Sequence, residues 1–146
     1  MILLVQRSKH SKVTVSSKTV GEINAGLVVF VGFSANDTLK DINYLAKKLV
    51  NLRIFDDENH IMNKSLLDVK GKVLSVSQFT LCADTSKGNR PSYAKAMRKD
   101  EAKKMYDLFN AELKKYNIAV EMGIFQADML VEISNDGPVT IILESR

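Results

Sequence analysis

Cysteine is almost absent from this 146-residue chain: Cys82 is the only one. A single thiol excludes an intramolecular disulfide framework and any cysteine-based zinc site. Histidine is nearly as scarce, and His10 and His60 stand at unrelated positions, so no His-x-x-x-His metal motif exists. Neither a Gly-x-Gly-x-x-Gly nor a Walker-type phosphate loop occurs. No uninterrupted apolar run exceeds that of Leu27–Val31, far short of the roughly 20 residues a membrane span requires. The apolar start, Met1–Val5, lacks a basic leader and a small-residue cleavage site, so no signal peptide is expected. The hydrophobic fraction of 45% and charged fraction of 26% are globular averages, which excludes disorder, collagen and coiled coil for the whole chain. The expectation is a soluble, cytoplasmic protein with one domain over residues 1–146, without a membrane partner.

Charge adds little by itself. Lys and Arg number 21 against 17 Asp and Glu, a net charge of +4. That balance is compatible with a polyanionic partner, yet many small proteins are equally basic without one.

Along the first third, Ile2–Arg7 is an apolar run ending in charge. Val13–Val15 and Val20–Ile23 flank polar Ser16–Lys18 as a hairpin, and Leu27–Phe33 is apolar enough to be covered on both faces. From Asp37 the period changes. Leu39, Ile42, Leu45, Leu49 and Leu52 recur at three and four residues, an amphipathic helix with Asn36 or Asp37 as N-cap. Arg53–Phe55 reads as a short strand, and Asp56–Asn59 as a solvated turn lacking the spacing of a calcium loop. Lys72–Cys82 reads as a strand, Asp84–Ser92 as a polar loop. A second amphipathic helix spans about Asp100–Tyr116, with Ala102, Met105, Tyr106, Phe109 and Leu113 on one face and charges that complement the helix dipole. Two closing strands, Met129–Ile133 and Val139–Leu143, are separated by Ser134–Pro138. Strands outnumber helices without alternating one for one, which predicts an α+β fold with a mostly antiparallel sheet.

Three polar islands interrupt this pattern. Ser77-Gln78-Phe79-Thr80-Leu81 puts polar groups deep in an expected strand, where they are either hydrogen-bonded internally or face a pocket. On strand geometry Gln78 and Thr80 share one face, and Ser77, Phe79 and Leu81 the other. Gly88–Ser92 carries a guanidinium, Arg90, suited to phosphate contact beside a rigid proline; a plain surface turn is the local alternative. Asn135–Thr140 reads on its own as a turn around Gly137-Pro138. Cys82, with no histidine near it in sequence, reads as an inert buried thiol.

Together these islands are more specific than any one of them. Ser77-Gln78-Phe79-Thr80, Asn89-Arg90-Pro91-Ser92, Gly123-Ile124-Phe125 with Ala127-Asp128-Met129, and Asn135-Asp136-Gly137-Pro138-Val139-Thr140 stand in the order and spacing of the D-aminoacyl-tRNA deacylases. Val5-Gln6-Arg7 and Leu52-Arg53-Ile54-Phe55 are similar to that family too, so the resemblance covers essentially the whole chain. It implies a barrel-like, mostly antiparallel core with two amphipathic helices, assembled as a homodimer. It implies hydrolysis of the ester joining a D-amino acid to the terminal adenosine of tRNA, with glycyl-tRNA also a substrate. No cofactor, metal or DNA partner is implied. Ser77, Gln78, Phe79 and Thr80 take the catalytic role as the pocket floor, Phe125 and Met129 stand as its walls, and Arg90 contacts the tRNA. Gly137-Pro138, held cis in this family, reaches into the partner's pocket and excludes L-amino acids. The related animal-type editing enzymes carry Pro-Gln where this chain has Ser77-Gln78, so Ser77 implies the D-specific branch.

Two positions depart from the family pattern. Gln126 stands where Gly is usual in Gly-x-Phe-Gly-Ala; if that position takes a positive φ, Gln126 is strained or the turn rearranged. Cys82 replaces a commoner aromatic. For the chemistry two nucleophiles stay open. Thr80 is the obvious side chain, yet no His or Lys is identifiable as its base. The alternative, and the preferred one, is assistance by the substrate's own 2′-hydroxyl, with N–H groups near Phe79 and Thr80 polarising the carbonyl.

Overall fold

β1 (Ile2–Val15) is the axis of the sheet, and every other long strand is placed by reference to it. Along one edge it pairs antiparallel with β2 (Lys18–Ile23) and then β3 (Gly26–Gly32), which follow one another as a single return stroke. Along the other edge it pairs antiparallel with β8 (Leu130–Glu144) from Ile2 to Thr14. β6 (Lys72–Ser77) lies parallel to β3, and the three-residue β7 (Val120–Met122) lies parallel to β6. β4 (Phe55–Asp56) and β5 (Met62–Lys64) form a separate small hairpin. These elements, with α1 (Leu39–Val50) and α2 (Lys99–Lys114), come from a computed structural model that describes residues 1–145. The class is α+β as expected; three of the five pairings in the main sheet are antiparallel and two are parallel.

The sheet curls far enough that β2 meets the opposite edge. A Cβ built on Gly21 would lie 2.9 Å from the carbonyl oxygen of Met122 in β7, so only glycine permits this approach. The result is a nearly closed barrel. Its interior holds Val13, Ile23, Val28, Leu74 and Val76. The outer face of the same strands, with Leu3, Val5, Leu27, Val29, Val31 and Val73, is covered by the two helices. β3 alternates between these two clusters, which is why its sequence reads as an unbroken apolar run.

The helices obey their sequence period. Ile42, Leu45 and Leu49 of α1 and Tyr106, Phe109 and Leu113 of α2 are buried. The N-cap of α1 is Thr38 rather than Asn36 or Asp37. Thr38 Oγ1 accepts from the Lys40 N–H (3.3 Å), and the Asp41 carboxylate accepts from the Thr38 N–H (2.7 Å). Asp37 is committed elsewhere, accepting from the Ser34 N–H at 2.6 Å. Leu39, at the first helical position, is exposed.

Three strand expectations are corrected. Ile2–Arg7 and Val13–Val15 belong to one continuous strand, β1. The expected strand to Cys82 ends at Ser77, and a 3-10 turn over Phe79–Cys82 follows. The two closing strands are one strand, β8, because β1 holds both halves in register across the interruption.

Candidate active site

Because β3 and β6 run parallel, both chains leave the sheet at the same end, and they separate there. The gap is a cavity of about 580 Å³, a size that suits a small-molecule ligand. Val31, Phe33, Val76, Ser77, Gln78 and Phe79 line it from the strand ends; Met97, Lys99 and Ala102 line it from the start of α2; residues 125–129 and Val131 close it from the approach to β8.

The floor is made by the backbone leaving β6. Gln78 N–H donates to the Val31 carbonyl at 2.8 Å, the last contact before the chain turns. The turn's first internal donor is the Leu81 N–H, to Gln78 O at 3.3 Å. The N–H groups of Phe79 and Thr80 therefore precede any carbonyl the turn itself offers. The turn overrides strand alternation: Ser77, Gln78 and Phe79 all line the cavity, while Thr80 does not. Thr80 Oγ1 instead accepts a hydrogen bond from the Gln78 side-chain amide. Cys82 is buried, with Sγ 3.4 Å from the Phe33 carbonyl, as an inert thiol would be.

The walls are supported from behind. Phe125 packs against Tyr106 with ring centroids 6.0 Å apart. The Tyr106 hydroxyl donates to the Ser75 carbonyl at 2.8 Å, which braces β6 two residues before the floor. Burial pushes the Tyr106 phenol above its ordinary range. Gln126, the departure noted in the sequence, has φ +67 and keeps the turn, with Ala127 N–H donating to Ile124 O at 3.1 Å. A residue with a Cβ is strained at that φ. Lys99 and Asp128 are the two charged side chains on the cavity wall; among the described residues no group of three His, Cys, Asp or Glu converges to hold a metal.

Gly137 and Pro138 lie elsewhere. Within β8 the register to β1 skips from Ser8↔Asn135 to Gln6↔Thr140, so residues 136–139 stand out of the ladder. The Gly137–Pro138 peptide is cis, Gly137 has φ +114, and both residues are exposed. Neither lines the cavity of its own chain. Sequence reasoning missed what holds them. Arg7 is only 7% exposed; its Nη1 donates to Ile54 O (2.8 Å) and Asp56 Oδ1 (3.2 Å), and its Nε lies 3.1 Å from Asp136 Oδ2. Asn135 Nδ2 donates to the carbonyls of Arg7 and Val139, each at 3.0 Å, and Gln6 Nε2 donates to Asn135 Oδ1 at 3.1 Å. The available signal was Arg7 itself, a charge on the same strand face as core residues Leu3 and Val5.

Arg90 sits on the exposed loop that follows the floor. The loop is pinned at its ends by Asp84 and Ser92, which exchange backbone hydrogen bonds of 2.8 and 2.9 Å. Donation from Ser86 and then the nearby Lys95 ammonium hold the Asp84 carboxyl down to about 2.

Comparison with known proteins follows the whole chain. A family model described as D-Tyr-tRNA(Tyr) deacylase matches residues 4–144. The chain is 53% identical over 146 residues to a D-aminoacyl-tRNA deacylase of Thermosipho africanus, covering 100% of this chain and 98% of that one. It is 54% identical over 145 residues to one of Desulfotalea psychrophila, covering 99% and 97%. Among solved structures it is similar to the c-Myc DNA Unwinding Element Binding Protein, with TM-score 0.94, 39% identity and 100% and 99% of the two chains covered. A probable eukaryotic D-amino acid tRNA deacylase shares the fold at 17% identity, with TM-score 0.85 and 99% and 98% covered. A match that runs from the first strand to the last, with about half of all positions identical to proteins of that description, makes this chain a member of the D-Tyr-tRNA(Tyr) deacylase family.

Proposed function

We propose that this protein hydrolyses the ester joining a D-amino acid to the 3′-terminal adenosine of a tRNA, releasing the free amino acid and the tRNA. The observation that carries the reading is the cavity of about 580 Å³ lined by Ser77, Gln78 and Phe79 where the chain turns out of β6, in a chain of this family, with the N–H groups of Phe79 and Thr80 finding no acceptor within the turn. Ester hydrolysis needs donors for the developing oxyanion, and N–H groups without an internal acceptor serve that purpose. Thr80 is a poor nucleophile here, because its hydroxyl accepts from an amide, and an amide cannot take its proton. The substrate's 2′-hydroxyl, adjacent to the ester, assists the attack of water instead. Water adds to the carbonyl, the ester C–O bond breaks, and the 3′-oxygen leaves with a proton. Proximity of this kind supplies as much as ~7–11 kcal/mol in intramolecular reactions. Ser77 and Gln78 orient the substrate, and Phe125 and Met129 flank it. Neither a cofactor nor a metal enters this scheme.

Selection by chirality follows from Gly137-Pro138. The segment is exposed and lies outside its own chain's cavity, so it acts on the cavity of a second copy in a two-fold dimer. A braced backbone wedge rejects every L-residue, because all L-side chains project in the same direction. It does not separate glycine from a D-residue, so glycyl-tRNA is also cleaved. Arg90 contacts the tRNA backbone. Among the described residues no helix is long and apolar enough to cross a membrane; a cytoplasmic protein is the reading that a charged-tRNA substrate supports.

Incubation with D-Tyr-tRNA tests the reading. Release of free D-tyrosine, unaffected by added duplex DNA, is expected, with a sedimenting mass about twice the 16.3 kDa of the chain. Retardation of the tRNA without release of the amino acid would show a binding protein instead.

A further inference from the structure

Two aromatic rings stand exposed at the mouth of the cavity, and the chemistry above uses neither. Phe79 is 56% exposed and Tyr93 39%, and they meet edge to face with centroids 5.0 Å apart and planes at 67°. Phe79 lines the cavity; Tyr93 lies beyond it, so the pair leads outward from the rim. Tyr93 is preorganised by its backbone: Ser92 before it is pinned to Asp84, and its own carbonyl accepts from the Ala96 N–H at 3.0 Å. The surrounding segment is strongly basic, with Lys87, Arg90, Lys95, Arg98 and Lys99 against one carboxylate, Asp84, between residues 84 and 99. Lys95 pairs with that carboxylate at 3.2 Å. Exposed rings inside a cationic rim match an unpaired nucleic-acid strand, whose bases offer flat faces and whose phosphates offer charge.

We infer that Phe79 and Tyr93 form a stacking shelf for a nucleobase of the unpaired tRNA acceptor end, next to the terminal adenosine that enters the cavity. The inference rests on the deacylase reading, since it takes the terminal nucleoside to occupy the 580 Å³ cavity. The strand then leaves past Phe79 and meets Tyr93, with Arg90 and Arg98 on the same basic segment as the phosphates' counter-charges. Tyr93 touches no reacting atom, so it contributes to binding in the ground state and transition state alike. Its loss raises KM and spares kcat.

The test compares Tyr93→Leu and Tyr93→Phe on two substrates, D-Tyr-tRNA and 3′-O-D-tyrosyl-adenosine, which has no neighbouring base. Tyr93→Leu is expected to raise KM for the tRNA about 5- to 100-fold, the size of one stacked base, with kcat within about twofold of native. Tyr93→Phe keeps the ring and the native KM, and neither variant alters turnover of the adenosine ester. A native KM for Tyr93→Leu on the tRNA overturns the inference. An equal loss on both substrates overturns it too, assigning Tyr93 to the terminal nucleoside or to the fold. A halved sedimenting mass for Tyr93→Leu gives the shelf to a second copy of the chain instead. If the native protein cleaves neither substrate, the deacylase reading fails by itself. Binding of uncharged tRNA, intact or trimmed of its unpaired 3′ nucleotides, then decides the shelf separately: Tyr93→Leu must weaken only the intact tRNA.

Discussion

The floor at Ser77–Cys82 and the segment Asn135–Thr140 are held by opposite means. The floor follows from the backbone: β6 keeps register with β3 as far as Val31↔Ser77, Gln78 N–H closes on Val31 O, and the chain turns. Its side-chain hydrogen bonds are few: Gln78 to Thr80 is local, and the Cys82 thiol reaches the Phe33 carbonyl and the Ser34 hydroxyl. Residues 136–139 have left the ladder, so their backbone finds few strand partners, and side chains must stand in. Arg7, Asn135 and Thr140 do so, donating to the carbonyls of Asp136, Val139 and Pro138, and Gln6 holds the Asn135 and Thr140 side chains. A site built by backbone tolerates side-chain replacement, whereas one built by side chains does not.

That contrast can be broken from either side, and the largest effect is expected at Arg7. Arg7→Met leaves the Ile54 carbonyl without its donor and Asp136 with only the exposed Lys9 as partner, a loss of about 3 kcal/mol in chemical denaturation. It should also cost selectivity against L-Tyr-tRNA. Next is Gly137→Ala. The added Cβ would lie 2.8 Å from Val139 Cγ2 and 2.9 Å from Val139 N at a φ of +114, which costs about 1–3 kcal/mol. The same two assays check it.

The floor side has a pH signature. The Tyr106 phenol, raised above its ordinary 10.0 by burial, is neutral in the fold. Its contribution to stability is complete below pH 10 and is lost as pH rises through the higher folded value. Tyrosine ionisation followed by ultraviolet absorbance should therefore lag behind that of free tyrosine, and unfolding should accompany it. Thr80→Ala sharpens the comparison by its mildness, with stability lowered by about 1 kcal/mol or less and deacylation largely retained. Abolished turnover in that variant would return the nucleophile to Thr80. Smallest of all, Gln126→Gly relieves a left-handed backbone and should stabilise by about 0.5–1 kcal/mol, after the extra unfolded-state entropy of glycine is counted.

Much of this was legible in the residues. The faces of α1 and α2 followed from a 3.6-residue period, and β3 from apolar residues on both its faces. The turn after Ser77 was not legible, because Phe79, Thr80 and Leu81 are good strand formers and only the separation of β3 from β6 makes the chain leave the sheet. Continuity of β8 was hidden for the converse reason. Asn135-Asp136-Gly137-Pro138 is turn chemistry, but β1 runs past both sides and keeps the halves in one strand. Of the candidate site residues, Ser77, Gln78, Phe79, Phe125 and Met129 meet in one cavity, while Thr80, Arg90, Gly137 and Pro138 do not reach it within the chain.

Paired rates on D-Tyr-tRNA and L-Tyr-tRNA test the proposed cleavage at the floor and the proposed selection by Gly137-Pro138 at once. The native protein should hydrolyse the D-ester rapidly and leave the L-ester at its spontaneous rate, with Gly137→Ala narrowing the gap. Equal hydrolysis of both esters by the native protein would contradict this reading.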